Sequence, residues 1–156
     1  MSDMDRICAV TLDERTVARR GPEIERERKV AIFDLIEENE FAVEGRRDGP
    51  YALHLSIVDN RLMFDIRRED ETPLVAVGLS LSPFRKVVKD YWQICESYYE
   101  AIKHATPSRI EAIDMARRGL HNEGSDLLRE RLLGKVTLDD NTARRLFTLI
   151  CVLHLR

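Results

Sequence analysis

The chain contains 156 residues, of which 44% are hydrophobic and 34% charged, and its formal net charge is −3. A chain of this length can bury a hydrophobic core large enough to fold without disulfide bonds. The composition excludes intrinsic disorder, collagen and disulfide-rich scaffolds, and we expect a single domain over residues 1–156. Composition alone indicates no function.

The N-terminal residues carry neither the basic segment nor the apolar stretch of a secretion signal, and no apolar run is long enough to cross a bilayer. The three cysteines, Cys8, Cys95 and Cys151, are widely spaced and lie among apolar neighbours. Such residues are typical of reduced thiols in a protein core. We therefore expect a cytoplasmic protein that does not contact the membrane.

Charge differs between the two halves of the chain, being −6 over residues 1–81 and +3 over residues 82–156. Neither half contains the clustered basic stripe that neutralises phosphates in a nucleic-acid complex. We therefore do not expect a nucleic-acid partner.

Residues 1–50 predict one strand and one helix. Residues 7–12 alternate weakly between apolar and polar side chains, which indicates a strand. Gly21 and Pro22 form a typical helix start, and an apolar stripe continues to about Glu38. Residues 39–50 are expected to cross the surface, with a short extended piece at 41–43.

Residues 51–81 predict a strand meander. Apolar residues alternate before and after a two-residue turn at Asp59 and Asn60, which indicates a β-hairpin. Residues 74–81 alternate again and supply a third strand.

The turn also predicts the register of the hairpin. Leu55 then lies opposite Phe64, and both side chains face the core. On the other face His54 lies opposite Asp65, where we expect a structural ion pair.

Residues 82–156 are expected to be helical, starting with Ser82 as the cap of a long helix that ends near His104. The apolar face of this helix covers about half of its circumference, which is more than one neighbour can bury. We therefore expect the helix either to lie between the sheet and the later helices or to extend into a homodimer interface through its aromatic residues. These residues are Tyr91, Trp92, Tyr98 and Tyr99.

A second helix is expected to follow and to break at residues 122–125, where Gly124 is a suitable terminator and Ser125 a suitable new cap. The last helix, capped by Asp139 or Asp140, has apolar side chains almost all round, so we expect it to be buried. Together these elements predict an α+β fold with an antiparallel sheet of about four strands, helices packed on one face and a helical C-terminal half.

The predicted helix break is the leading candidate for a ligand site, because it concentrates ionisable, amide and hydroxyl groups near free backbone donors. The structural alternative is that the arginines pair with acidic neighbours and the polar residues cap helix ends. The candidate ligand-binding residues are Arg117, Arg118, His121, Asn122, Glu123 and Ser125, with Arg144 or Arg145 approaching from the last helix.

The sequence gives less support to a metal site, a reactive cysteine or a phosphate site at a helix start. A zinc-deaminase signature at His121 and Glu123 requires a following Pro-Cys-x-x-Cys, which is absent, so we assign no metal and no cofactor. Cys95 lies on an apolar helix face, where its thiolate is disfavoured. Residues 82–86 open a helix with free backbone donors and two cations that could hold a phosphate, but a routine helix start explains them equally well.

Several stretches along the chain carry a family resemblance. They include IFDLIEEN at residues 32–39, VKDY at 88–91, ICESYYEAI at 94–102, RRGLHNEGS at 117–125 and ARRLFTLI at 143–150. They resemble an uncharacterised family of small alphaproteobacterial proteins, and the resemblance covers essentially the whole chain. It implies no activity, substrate or catalytic residue.

These patterns favour two functions, and a third, that of a nucleic-acid accessory protein, is disfavoured by the net charge. The first is a small cytoplasmic interaction or regulatory protein, which requires no catalytic signature. The alternative is a binder of a small anion or phosphate, or an enzyme, that uses residues 117–125. Enzymatic activity itself stays open.

Overall fold

The computed structural model describes residues 4–14, 21–46 and 48–154, which form an α+β fold. Its strands are β1 (Ile7–Leu12), β2 (Phe41–Val43), β3 (Tyr51–Val58), β4 (Arg61–Arg68), β5 (Pro73–Ser80) and β6 (Val136–Leu138). Its helices are α1 (Pro22–Glu37), α2 (Ser82–His104), α3 (Pro107–Leu132) and α4 (Asp140–His154).

The main sheet has the strand order β1-β3-β4-β5 and is mixed, not wholly antiparallel as expected from the sequence. Strands β3, β4 and β5 form the predicted antiparallel meander, whereas β1 runs parallel to β3. Parallel neighbours cannot be joined by a tight turn, and here the chain between them passes through α1 and β2. The alternation of residues 7–12 carries no information on strand direction, so the direction of β1 was wrong, whereas the predicted α+β fold with a four-stranded sheet and a helical C-terminal half is confirmed.

The hairpin of β3 and β4 has the predicted register, with Leu55 opposite Phe64. Both side chains are fully buried, which confirms the core face. Asp59 and Asn60 have φ angles of 49° and 63°, the left-handed values that a type I′ turn requires. The local pattern was therefore sufficient to predict this element.

The other face of the sheet carries half-exposed polar side chains, and His54 lies opposite Asp65 as predicted. The expected ion pair between them is wrong, however. His54 Nε2 lies 2.7 Å from Glu71 Oε1, and Asp65 accepts a hydrogen bond from Arg67 at 2.7 Å. The loop between β4 and β5 brings Glu71 to the histidine, an approach that strand alternation does not reveal.

The connection over residues 39–50 contains a buried strand. Strand β2 pairs antiparallel with β6, with Phe41 opposite Leu138 and Val43 opposite Val136. Phe41 is fully buried. The expected extended piece is confirmed. Its partner β6 was not predicted, because three residues are too few to show an alternation of apolar and polar side chains.

The helix starts agree with the sequence to within one residue. Pro22 begins α1 as expected. The cap of α2 is Leu81, and Ser82 is already helical. Asp139 caps α4, since its Oδ1 accepts a hydrogen bond from the Thr142 N–H at 3.0 Å.

Helix α2 turns its aromatic residues into the chain's own interior. Tyr91 and Trp92 are only 3% and 8% exposed, and Tyr98 and Tyr99 are half-buried. Trp92 Nε1 donates a hydrogen bond to the Cys151 carbonyl at 3.0 Å. Tyr91 and Trp92 are therefore covered within one chain, whereas a homodimer through residues 91–99 stays a prediction.

Helix α3 is continuous across residues 122–125, so the predicted break is wrong. A Cβ atom at Gly124 would lie 2.1 Å from Cζ of Phe147 in α4, which means that the glycine is required for helix packing. The Ser125 hydroxyl donates to the His121 carbonyl at 2.8 Å within the helix and caps nothing. A glycine at a close helix contact has the same sequence signature as a helix terminator.

Helix α4 is buried on all sides from Leu146 to Leu153, as predicted. It belongs to a hydrophobic core shared by the sheet and all four of the helices named above. Across the described part of the chain, no helix has the length and apolar character that a membrane span needs.

Candidate functional site

A cleft of about 190 Å³ lies between α1, α3 and α4. Helix α3 supplies one of its side chains, and α1 and α4 form the two facing walls. The lining residues are Glu27, Val30, Ala31 and Asp34 from α1, His121 from α3, and Asn141, Arg144, Arg145 and Thr148 from α4.

His121 is half-buried beside this cleft, between the rings of Tyr91 and Phe147, and each ring centroid is 5.3 Å from that of the imidazole. His121 Nε2 lies 2.8 Å from Thr148 Oγ1. The Thr148 hydroxyl donates to the Arg144 carbonyl at 3.3 Å, so we assign the proton of the imidazole to Nε2. Nδ1 is buried and has no hydrogen-bond partner among the described residues.

The environment keeps His121 neutral. Burial, followed by the positive charges of Arg144 and Arg117, lowers the pKa of His121 to about 4. At pH 7 the imidazole therefore contributes hydrogen-bonding atoms and no positive charge. Any charge that attracts an anion to the cleft must come from the arginines.

Arg144 and Arg145 supply that charge from consecutive positions of α4. Arg144 Nη1 donates to Asn122 Oδ1, and Arg145 Nη1 donates to the Glu38 backbone carbonyl at 3.4 Å. Both acceptors are neutral oxygens, and neither guanidinium forms an ion pair with a carboxylate of the described residues. Each arginine therefore keeps its capacity to bind an anion.

The α1 wall adds two carboxylates with different surroundings. Glu27 Oε1 accepts a hydrogen bond from the Tyr99 hydroxyl at 3.4 Å and lies 3.9 Å from Arg117 Nη1. The Asp34 carboxylate, in contrast, has no partner within the described ranges. The cleft thus presents cationic groups on one wall and a free hydrogen-bond acceptor on the other.

Only part of the predicted site lies at this cleft. His121 meets Arg144 and Arg145 there, as expected for groups approaching from the last helix. Arg117 and Arg118 do not line it, because both bind Asp114, at 2.5 Å and 3.1 Å. These two arginines fit the structural alternative.

The remaining predicted residues are distributed around α3. Asn122 is exposed and holds Arg144, and Ser125 is buried. Glu123 is exposed and does not line the cleft. Residues two positions apart point to different sides of a helix, so an unbroken α3 cannot bring His121 and Glu123 together.

Sequence reasoning missed the polar lining residues Glu27, Asp34, Asn141 and Thr148. Thr148 lies four residues after Arg144, and Asn141 three before it, so the spacing of α4 already placed them on one face. Asp34 is a surface residue of α1 in the sequence pattern, and only the packing of α1 against α4 brings it to the cleft.

The other sites considered from the sequence are occupied by structural contacts. Arg85 donates to Asn60 Oδ1, and Lys86 Nζ binds Asp90 Oδ2 at 2.6 Å, so both cations at the start of α2 are engaged. Burial raises the pKa of the Cys95 thiol to about 11. Among residues 4–14, 21–46 and 48–154 no group of histidine, cysteine and carboxylate side chains is arranged to hold a metal ion.

The fold and the cleft define a small α+β protein with a polar site between helices. The chain belongs to the uncharacterised protein family UPF0262, whose model matches residues 4–156, and the resemblance noted in the sequence is thereby confirmed.

Similar proteins come from several alphaproteobacteria. The UPF0262 protein of Rhodopseudomonas palustris strain BisA53 is 67% identical over 148 residues, which cover 95% of this chain and 91% of the relative. The UPF0262 proteins of Bradyrhizobium sp. and Nitrobacter winogradskyi are 65% and 64% identical, each over 96% of this chain and over 90% and 89% of the relative. No solved structure matches the chain.

Proposed function

We propose that the protein binds a small anionic ligand, a carboxylate or a phosphate, in the cleft between α1, α3 and α4. The observation that carries the proposal is the pair Arg144 and Arg145, which line one cleft and, among the described residues, bind neutral oxygens and no carboxylate. Guanidinium groups match carboxylate and phosphate oxygens in a planar, two-point geometry.

The rest of the cleft narrows the class of ligand. The carboxylate of Asp34, which has no partner in the described part of the chain, favours a ligand that also carries an N–H or O–H donor. A volume of about 190 Å³ is below that of pockets for drug-sized molecules, which favours a ligand with few non-hydrogen atoms. A hydroxycarboxylate or a small phosphate has these properties.

The test is a titration with inorganic phosphate and with glycolate, in which binding is measured by calorimetry and by the change in melting temperature. A ligand that binds only the folded state raises the melting temperature as its concentration increases. Sodium chloride at equal ionic strength controls for general screening. We expect a rise with either probe that chloride does not reproduce.

Matched variants assign the effect to the cleft. Arg144→Gln and Arg145→Gln should each abolish the ligand-dependent rise, whereas Arg131→Gln, on the exposed surface of α3, makes the same charge change and should preserve it. Equal responses in all three variants, or no response to either probe in the unmodified protein, would contradict the proposal.

The role of an interaction or regulatory protein, which the sequence also favours, stays a prediction.

A cytoplasmic location is also part of the proposal. It is supported by Cys8, Cys95 and Cys151, which are free thiols. Cys95 and Cys151 are buried, and burial raises the pKa of both thiols, as is typical of reduced core cysteines.

A further inference from the structure

The cleft between α1, α3 and α4 is lined by charges of opposite sign that do not pair with each other. The half-buried carboxylate of Asp34 on α1 has no partner among the described residues. On α4, Arg144 and Arg145 bind neutral oxygens and no carboxylate of the described ranges. All three side chains line the same cleft of about 190 Å³. A ligand with both a cationic and an anionic group would therefore complement both walls.

The other ionisable groups of the cleft are engaged or neutral. Glu27 Oε1 lies 3.9 Å from Arg117 Nη1 and accepts a hydrogen bond from the Tyr99 hydroxyl at 3.4 Å. His121 is neutral at pH 7, and its Nε2 lies 2.8 Å from Thr148 Oγ1. Among the described lining residues, the charges that remain for a ligand are therefore the carboxylate of α1 and the guanidinium groups of α4.

These charges lie on adjacent turns, close enough for one small molecule to contact both. The Glu38 N–H donates to the Asp34 carbonyl at 3.2 Å, which places Glu38 one turn beyond Asp34 at the end of α1. Arg145 Nη1 donates to the Glu38 carbonyl at 3.4 Å. Adjacent turns of a helix are about 5.4 Å apart. A molecule whose two charged groups are separated by one carbon atom has a suitable length to bridge them.

We infer that the ligand of the cleft is a small α-amino acid, whose ammonium group binds the Asp34 carboxylate and whose carboxylate binds Arg145. Arg144 contributes positive charge from the side of α3. The inference rests on the proposed function, since the same arginines hold the anionic group. It adds the cationic group, which a hydroxy acid or a phosphate lacks.

An ammonium group suits Asp34 better than a hydroxyl group does. It offers three N–H donors, whereas a hydroxyl group offers one. It also neutralises a half-buried carboxylate, and a hydrogen bond between two ionised groups is stronger than one to a neutral donor. An amino acid should therefore bind more tightly than the hydroxy acid of the same size.

The cleft also limits the side chain of the amino acid. Val30 and Ala31 line the cleft on the same face of α1 as Asp34, so the carbon atoms of the ligand have an apolar surface beside them. A volume of about 190 Å³ is below that of pockets for larger ligands. Amino acids with side chains of few atoms fit both properties.

The test compares glycine with glycolate by calorimetry, because these molecules differ only in the ammonium group that replaces the hydroxyl group. Glycine should bind the unmodified protein about tenfold more tightly or better. Acetate lacks the donor, and methylamine lacks the carboxylate. Both should bind more weakly than glycine, because each contacts only one wall of the cleft.

Matched variants assign the preference to Asp34. Asp34→Asn removes the charge with little change in size, so it should weaken glycine binding about tenfold or more and preserve or strengthen glycolate binding. Asp126→Asn makes the same change at an exposed position of α3 outside the cleft and should keep the preference for glycine. Arg145→Gln should weaken the binding of both molecules.

The outcomes separate this inference from the proposed function. Glycolate binding with equal or weaker glycine binding would overturn the amino acid and leave the anion site intact. A preference for glycine that persists in Asp34→Asn would also overturn the inference. If glycine, glycolate and phosphate all fail to bind, both proposals are wrong. Should Asp34→Asn fail to fold, the comparison of the four small molecules on the unmodified protein still decides.

Discussion

Phe147 of α4 packs its ring against the bare Cα of Gly124 in α3, where a Cβ atom would lie 2.1 to 2.5 Å from three of the ring carbons. This contact allows the two helices to approach closely. One turn earlier on α3, the same approach brings His121 within 2.8 Å of Thr148 on α4. The geometry of the cleft therefore depends on a glycine that does not line it.

Gly124→Ala should destabilise the fold, because the new methyl group must displace an aromatic ring in a fully packed core. Overpacking of this kind costs about 1–3 kcal/mol, from which the better helix propensity of alanine subtracts up to about 1 kcal/mol. Gly119→Ala is the matched control, since its Cβ meets nothing within 4 Å. It should stabilise the protein by about 0.5–1 kcal/mol. Urea unfolding distinguishes the two, and similar effects of both variants would contradict the packing role of Gly124.

The last helix should be essential for folding, because Leu146 and Ile150 are fully buried in the core. Leu146→Ala should lower the free energy of unfolding by about 2–5 kcal/mol. Leu133→Ala removes the same atoms from a side chain that is 74% exposed. This variant should change the free energy of unfolding by less than about 0.5 kcal/mol. Truncation after Arg145 should prevent folding. A truncated chain that stays soluble and melts cooperatively would show that the core does not require α4.

Local patterns predicted the elements whose stabilising contacts are near in sequence. The turn at Asp59 and Asn60 determines the hairpin register within a few residues, and alternation then assigns both faces. The parallel pairing of β1 and the short strand β6 depend on partners tens of residues away. No local pattern contains that information.

The sequence indicated some residues of the candidate site, but it did so by assuming a helix break at residues 122–125 that the structure does not have. The sequence placed His121 near Arg144 or Arg145 at a helix break, whereas the residues meet because two unbroken helices pack closely at Gly124. Asp34 could not be predicted, since its position at the cleft depends on how α1 lies against α4. The concentration of polar residues thus indicated where the candidate site lies, whereas tertiary packing determined which residues line the cleft.

Asn39 should contribute to stability through its bonds to the edge of β1. Asn39→Ala leaves the Ile7 N–H and C=O without these partners, which should cost about 1–3 kcal/mol. Asn39→Asp keeps an acceptor for the Ile7 N–H but places a carboxylate oxygen where Nδ2 donates to the Ile7 and Leu35 carbonyls, so repulsion between the oxygens should make its loss at least as large. Chemical unfolding measures both. A loss for Asn39→Asp clearly smaller than that for Asn39→Ala would contradict the role of the Nδ2 donor.

His121 should make the stability depend on pH between about 6.5 and 4. The folded state holds the pKa of His121 at about 4, below its ordinary value of 6.5, so within this interval the unfolded state binds a proton that the folded state does not. The free energy of unfolding should therefore fall as the pH falls from 6.5 towards 4, level off below 4 and show no contribution from this residue above 6.5. The full effect is on the order of 3 kcal/mol, from 1.36 kcal/mol per unit of pKa. Urea unfolding across this range should show a steeper loss in the unmodified protein than in His121→Gln, and the imidazole resonances of His121 should titrate near pH 4. Titration near pH 6.5, or equal slopes for the two proteins, would mean that the imidazole is solvated and not held neutral between Tyr91 and Phe147.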